Sequence, residues 1–319
     1  MEKKIFIFLC LGTFGFTSGL VAQNQNNNKN QNPNQKIQVL KVSSAKSDTT
    51  KNNQVKGWIS NTQKEQTPEQ KESRSCFLSA SKKLKTNDFE GAIQDLNKSI
   101  QLSETPNAYG MRGYCYLQTS RYAQAIEDEN KCISMGKSSS KTLFIRGASK
   151  FSLNDFEGAE KDLTDAIKLD PSNANAYNYL AAVMLQKKDY KEALENYNSL
   201  IKLDSAFPNV FTNRGMVRHN LQDFKGSIID CDIALKRDPK DCFALNNRGA
   251  AKMILKDYQG ALQDFNTAIE IKPAYADAYN NRGRVKQNMG DMEGACQDWN
   301  KAFDLGIKES KDLIIKFCK

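Results

Sequence analysis

The 319 residues suffice for two ordinary domains or one long repeat array, and 39% hydrophobic residues allow a buried core. The formal charge of +9 is uneven: residues 23–72 carry eight lysines against four acids, and residues 73–319 are too mildly and diffusely basic to argue for nucleic-acid binding. A single histidine, His219, excludes a histidine-based catalytic triad and a multi-histidine metal site.

The chain opens with Lys3 and Lys4, a short apolar run over residues 5–16, and small residues up to Ala22. That order predicts a secretory signal over residues 1–22, cleaved after Ala22 or, as second choice, after Gly19, and hence a periplasmic or secreted protein. An uncleaved anchor is the alternative, although the run falls short of the about 20 apolar residues a spanning helix needs. Cys10 follows bulky Phe8 and Leu9, which argues against lipidation. Residues 23–72 are rich in Asn, Gln and Lys, with Trp58 isolated among polar neighbours, and read as a disordered tether. The stretch around Trp58 is either solvated linker or a docking motif.

From residue 73 onward the chain repeats itself. Small residues recur at Ala80, Gly113, Gly147, Ala181, Gly215, Gly249 and Gly283, 34 residues apart after the first step. Twelve residues later stand Ala92, Ala125, Ala159, Ala193, Ser227, Ala261 and Ala295, and four beyond those a large apolar residue such as Leu96, Leu163, Tyr197, Phe265 or Trp299. Glu129 and Cys231 depart from that rule. Asp88, Asp155, Asp189, Asp223, Asp257 and Asp291 stand in the turn between, where a carboxylate accepts from helix-start amides. Pro171, Pro239 and Pro273 close three units, because proline has no amide to continue a helix. Each unit is therefore a hairpin of helix A and helix B, and stacking buries faces that no unit buries alone. The expected units are 73–105, 106–139, 140–173, 174–207, 208–241, 242–275 and 276–309, followed by a capping helix over 310–319 with Leu313, Ile314 and Phe317 on one face.

These spacings resemble the tetratricopeptide repeat family, and the whole chain resembles secreted repeat proteins of Bacteroidota-type bacteria. The resemblance implies an all-α, right-handed superhelical solenoid of about seven hairpins, with helix A lining a concave groove. It also implies binding of a protein or peptide, with no cofactor and no enzyme activity of the chain's own. Asn213, Asn247 and Asn281 share one register position on helix A, and Asn246 and Asn280 precede two of them. Such a row is either a clamp for a guest peptide backbone or simply the usual residue at that position. His219 and Arg284 would add selectivity to a clamp.

Arg112, Arg146, Arg214, Arg248 and Arg282 precede the first small residue, and Asp128, Asp162, Asp230, Asp264 and Asp298 follow 16 residues later. In the fourth unit Leu180 and Asn196 replace both charges, so the two are expected to pair within a hairpin. Seven cysteines follow the signal, and Cys296 with Cys318 is the pair expected to meet. Two functions follow: an exported interaction scaffold that binds a peptide or protein in its groove, or a structural or accessory subunit of a cell-envelope or secretion assembly bound through its outer faces.

Overall fold

A computed structural model describes residues 67–318; the expected signal, most of the tether and Trp58 lie outside the described residues. The described residues form fifteen helices and no strand. They are α1 (Pro68–Lys85), α2 (Phe89–Leu102), α3 (Pro106–Gln118), α4 (Tyr122–Ser134), α5 (Ser140–Ser152), α6 (Phe156–Leu169), α7 (Ala174–Gln186) and α8 (Tyr190–Leu203). After these come α9 (Val210–Asn220), α10 (Phe224–Arg237), α11 (Cys242–Ile254), α12 (Tyr258–Ile271), α13 (Ala276–Met289), α14 (Met292–Asp304) and α15 (Ser310–Phe317). Odd-numbered helices up to α13 are A helices and even-numbered ones are B helices. The chain divides into two compact units, residues 67–207 and residues 208–318, each a stack of hairpins in its own right.

The turn between A and B is built locally. Each turn aspartate caps helix B by accepting from the amide three residues on, as Asp88 does from Gly91 and Asp257 from Gly260. The residue just before it holds a left-handed conformation that lets helix A end sharply: Asn87, Asn154, Lys188, Gln222 and Lys256 all have φ between 60° and 66°. The second hairpin keeps the left-handed residue, Ser120 at φ 61°, but lacks the cap, since Arg121 occupies the cap position and makes no side-chain capping bond.

The first helix starts earlier than residue 73, so the tether does not extend to 72. Thr67 and Gln70 exchange a reciprocal capping box, with Pro68 at the first helical position, where its missing amide costs nothing. Ser73 then bonds Ser99 of α2, which anchors this first turn against its own hairpin.

Packing explains the small residues. A Cβ added at Gly249 would lie 2.9 Å from the Phe265 ring, and one at Gly283 would lie 2.6 Å from Trp299 Nε1. The large residue of helix B therefore sits directly against the glycine of its own helix A, and any side chain there would push the hairpin open. Phe265 and Trp299 are wholly buried. At the C-terminus α15 lies on α14: Phe317 stacks on Trp299 with ring centroids 5.8 Å apart, and a disulfide joins Cys296 to Cys318 with their α-carbons 5.6 Å apart. Leu313, Ile314 and Phe317 are half-buried, while Ile315 stays exposed on the opposite side.

Candidate interaction surface

Within each unit, an A helix that follows another hairpin is wedged between the B helix of its own hairpin and that of the preceding one: α3, α5 and α7 in residues 67–207, α11 and α13 in residues 208–318. Within each unit successive A helices also touch one another, α3 with α5 and α5 with α7 in residues 67–207, α9 with α11 and α11 with α13 in residues 208–318. Successive B helices pack on each other less extensively. In each unit the A helices thus form the closer, inner side.

The five arginines on this framework are committed internally. Arg112, Arg146, Arg214, Arg248 and Arg282 each donate through Nε and Nη2 to both oxygens of the aspartate 16 residues on, at 2.6–3.0 Å. The fork geometry suits a carboxylate better than any point charge would. The third donor, Nη1, crosses to the preceding hairpin in four of them: to Asn97, Asn130, Asp232 and Asn266 respectively from Arg112, Arg146, Arg248 and Arg282. Each such arginine therefore ties two hairpins together, a link that the single-repeat pattern of the sequence does not disclose. A second cation, one turn along, shares the aspartate Oδ2 with the arginine Nε: Lys150, Arg218, Lys252 and Lys286. In the first hairpin Ser79 stands at the arginine's place, and Asp95 is held by Lys83, at the second-cation position, together with a hydrogen bond from Ser79.

The second cation matters electrostatically. Burial works against the charge on Asp162, but hydrogen bonds from Arg146 and Lys150 outweigh it and hold its carboxyl below the ordinary value. The second hairpin has Tyr116 where the lysine would stand, so burial prevails over Arg112 and pushes Asp128 up.

The asparagine row is not a peptide clamp. Asn213, Asn247 and Asn281 are fully buried, as are Asn246 and Asn280. They lie in the seam where the next A helix covers them, and they bond across it: Asn281 donates to Asn246 at 3.1 Å, Asn247 to the Thr212 carbonyl at 3.4 Å, and Ser310 of the cap to Asn280 at 3.0 Å. A guest backbone has no amide to reach there. His219 is also buried, edge-on against Phe224 with ring centroids 5.1 Å apart, and burial lowers its pKa to about 4. It is a neutral packing residue rather than a groove contact.

What remains on the inner side differs from hairpin to hairpin. Tyr114 and Lys141 are half-buried in the unit of residues 67–207, with the Lys141 ammonium 5.6 Å from the Tyr114 ring centroid. Burial lowers the Lys141 pKa to about 7. In the other unit Arg284 and Gln287 are half-buried on α13. Arg284 keeps its charge with no hydrogen bond or ion pair from its side chain among the described residues, and its Nε is buried.

One unexpected group is Glu129, which occupies the large-residue position of the second helix B. Its side chain is wholly buried and both carboxylate oxygens lack a hydrogen-bond partner. Burial, reinforced by neighbouring Asp128, raises its pKa well above the usual carboxylate range. Lys141 and Arg146 pull the other way without overcoming burial. Its departure from the repeat pattern was visible in the sequence, its want of a hydrogen-bond partner was not. No group of three metal-ligating side chains occurs among the described residues, nor any helix long and apolar enough to cross a membrane.

Comparison with known proteins agrees with this architecture. Models described as tetratricopeptide repeat match residues 106–135, 146–208 and 276–305, and one described as TPR repeat matches residues 249–290. Heat shock protein STI1 of Saccharomyces cerevisiae is 36% identical over 91 residues, 28% of this chain and 15% of that protein. The human peptidyl-prolyl cis-trans isomerase FKBP4 is 36% identical over 67 residues, 21% of this chain and 15% of that protein. The chain therefore spans about one-seventh of the length of these curated relatives. Among solved structures, a tetratricopeptide repeat protein from Parabacteroides merdae has a TM-score of 0.59 at 14% identity, covering 78% of this chain and all of that one. The C-terminal part of a repeat protein from Cytophaga hutchinsonii has a TM-score of 0.55 at 18% identity, covering 74% and 98%. The 34-residue hairpin register, its caps and its packing, together with these matches, make the chain a member of the tetratricopeptide repeat family.

Proposed function

We propose that this protein is an exported interaction scaffold that holds a peptide or protein partner on the inner, helix-A side of its hairpins. The observation that carries this reading is a division of labour. The repeating arginines and aspartates are paired with one another, whereas inner positions outside that framework vary and carry half-buried polar groups, Tyr114 and Lys141 in one unit and Arg284 and Gln287 in the other. Export is supported by the basic and apolar start of the chain and by the Cys296–Cys318 pairing, since disulfides persist in oxidising compartments.

A second reading, attachment to an envelope assembly through the outer faces, is favoured by aliphatic residues left exposed at equivalent ends of B helices: Leu169 and Leu203 in one unit and Ile271 in the other. A photo-crosslinking residue placed at Tyr114 or Gln287, and separately at Leu169 or Ile271, separates the two in intact cells. Adducts from the inner positions alone are expected. Adducts from the outer positions alone would replace the groove reading with the subunit reading.

A further inference from the structure

The first helix differs from the helices that repeat after it. α1 is 18 residues long, whereas the other helices of the hairpins have 11–14. Its buried side, with Ser73, Ala80 and Leu84, packs on α2. On the opposite side Lys71, Arg74, Leu78, Lys82 and Lys85 are all exposed. These positions step by three or four residues and so form one stripe along the helix. At 1.5 Å of rise per residue the stripe is about 21 Å long.

The fold does not consume these cations. Elsewhere on α1, Lys83 holds Asp95 and Glu72 pairs with Lys98 of α2, but the four cations of the stripe form no ion pair among the described residues. The helix dipole favours basic groups in the last turn, which accounts for Lys82 and Lys85 and not for Lys71 and Arg74 near the start. Solubility requires an end helix to be polar, yet acids would serve as well as bases, and none stands on the stripe.

Charge also selects what can cover the stripe. Residues 23–66 carry seven lysines against two acids, so the chain's own leading segment would be repelled, and a second copy would bring the same cations. A nucleic-acid surface places aromatic or amide side chains among its cations, whereas the middle of this stripe is the aliphatic Leu78. We propose that α1 lies against the anionic headgroups of a lipid bilayer, with its four cations on the phosphates and Leu78 between them. The basic segment before α1 adds to the same attraction. This surface is separate from the inner side, and neither depends on the other.

Co-sedimentation of residues 23–319 with vesicles tests this. Phosphatidylcholine vesicles with about 30% phosphatidylglycerol are expected to bind at least about tenfold more tightly than phosphatidylcholine alone, and the excess should shrink between about 50 and about 300 mM NaCl. Changing Lys71, Arg74, Lys82 and Lys85 together to Gln should weaken binding to the anionic vesicles about a hundredfold or more, since each basic group at such a surface is worth about fivefold. Changing Lys36, Lys41, Lys51 and Lys56 to Gln should weaken it less. The four stripe side chains are exposed and Gln suits a helix, so the thermal midpoint of the α1 variant should stay in place. If that variant fails to fold, Lys71→Gln and Lys85→Gln, at opposite ends of the stripe, should each cost about fivefold, and no loss from either overturns the proposal. Equal binding of both vesicle types, or undiminished binding by the α1 variant, also overturns it. Binding of an RNA duplex that the α1 variant loses, with no vesicle binding by the wild type, would assign the stripe to nucleic acid instead.

Discussion

At the scale of single residues, Glu129 carries an energetic cost that its equivalents avoid. Leu96 and Leu163 fill the same position without polar atoms, whereas Glu129 buries two oxygens that nothing in the hairpin bonds. Replacing it with Leu is expected to stabilise the protein at neutral pH by about 1–3 kcal/mol, the usual cost of an unsatisfied buried polar group. The pH dependence has a definite sign. Its folded pKa lies above the unfolded value of 4.5, so its contribution is fully present below that pH and is lost as pH rises toward the folded value. Denaturant melts of wild type and Glu129→Leu should therefore diverge from pH 4.5 upward, with the wild type falling behind. Parallel curves would mean that the carboxyl is satisfied or exposed. The Arg248–Asp264 pair makes a second case. Asp264 is buried, so losing either partner should cost about 3–5 kcal/mol, and the double change to alanine should cost well under the sum. Chemical denaturation of the four proteins of that cycle measures the coupling; additivity would leave the pairing without energetic weight. This pairing was legible in the sequence because both charges vanish together at Leu180 and Asn196. The burial of the asparagines was not, because identity at a register position does not say which helix will cover it.

At the scale of the hairpin, most of the structure is local and the sequence displays it. The turn aspartates cap because their carboxylates reach amides three residues on, within one turn of chain. The left-handed residue before each cap is harder to see, since Lys188, Gln222 and Lys256 have no preference for it. Lys256→Gly is expected to stabilise the sixth hairpin by about 0.5–1 kcal/mol by removing the Cβ conflict at φ 66°. A lowered midpoint in thermal unfolding would show that the side chain itself supports the turn. The start of α1 shows the opposite difficulty. Residues 68–72 are polar and belong to no repeat, and a reading by periodicity stops at 73. A capping box and the contact of Ser73 with Ser99 extend the helix to Pro68.

At the scale of the whole molecule, the cap and the disulfide close the last hairpin. Trp299 would otherwise face water on the side that Phe317 covers. Thiol titration of denatured residues 23–319 is expected to find five thiols before reduction and seven after, because among the described residues Cys76, Cys115, Cys132, Cys231 and Cys242 are free and Cys296 is joined to Cys318. Seven thiols before reduction would place the working protein in a reducing compartment and remove one support for export. The sequence by itself determined the number of hairpins, their register, their caps and their arginine–aspartate pairs, because each of these depends on residues within one 34-residue repeat and recurs often enough to be recognised. Tertiary structure alone decided which polar residues are spent inside the stack and which are left over. Asn247 and Asn281 are consumed in seams between neighbouring hairpins, and the Arg284 Nε is left without a partner among the described residues. That outcome depends on what the adjacent hairpin brings to each side chain, a relation across repeats that no single repeat contains.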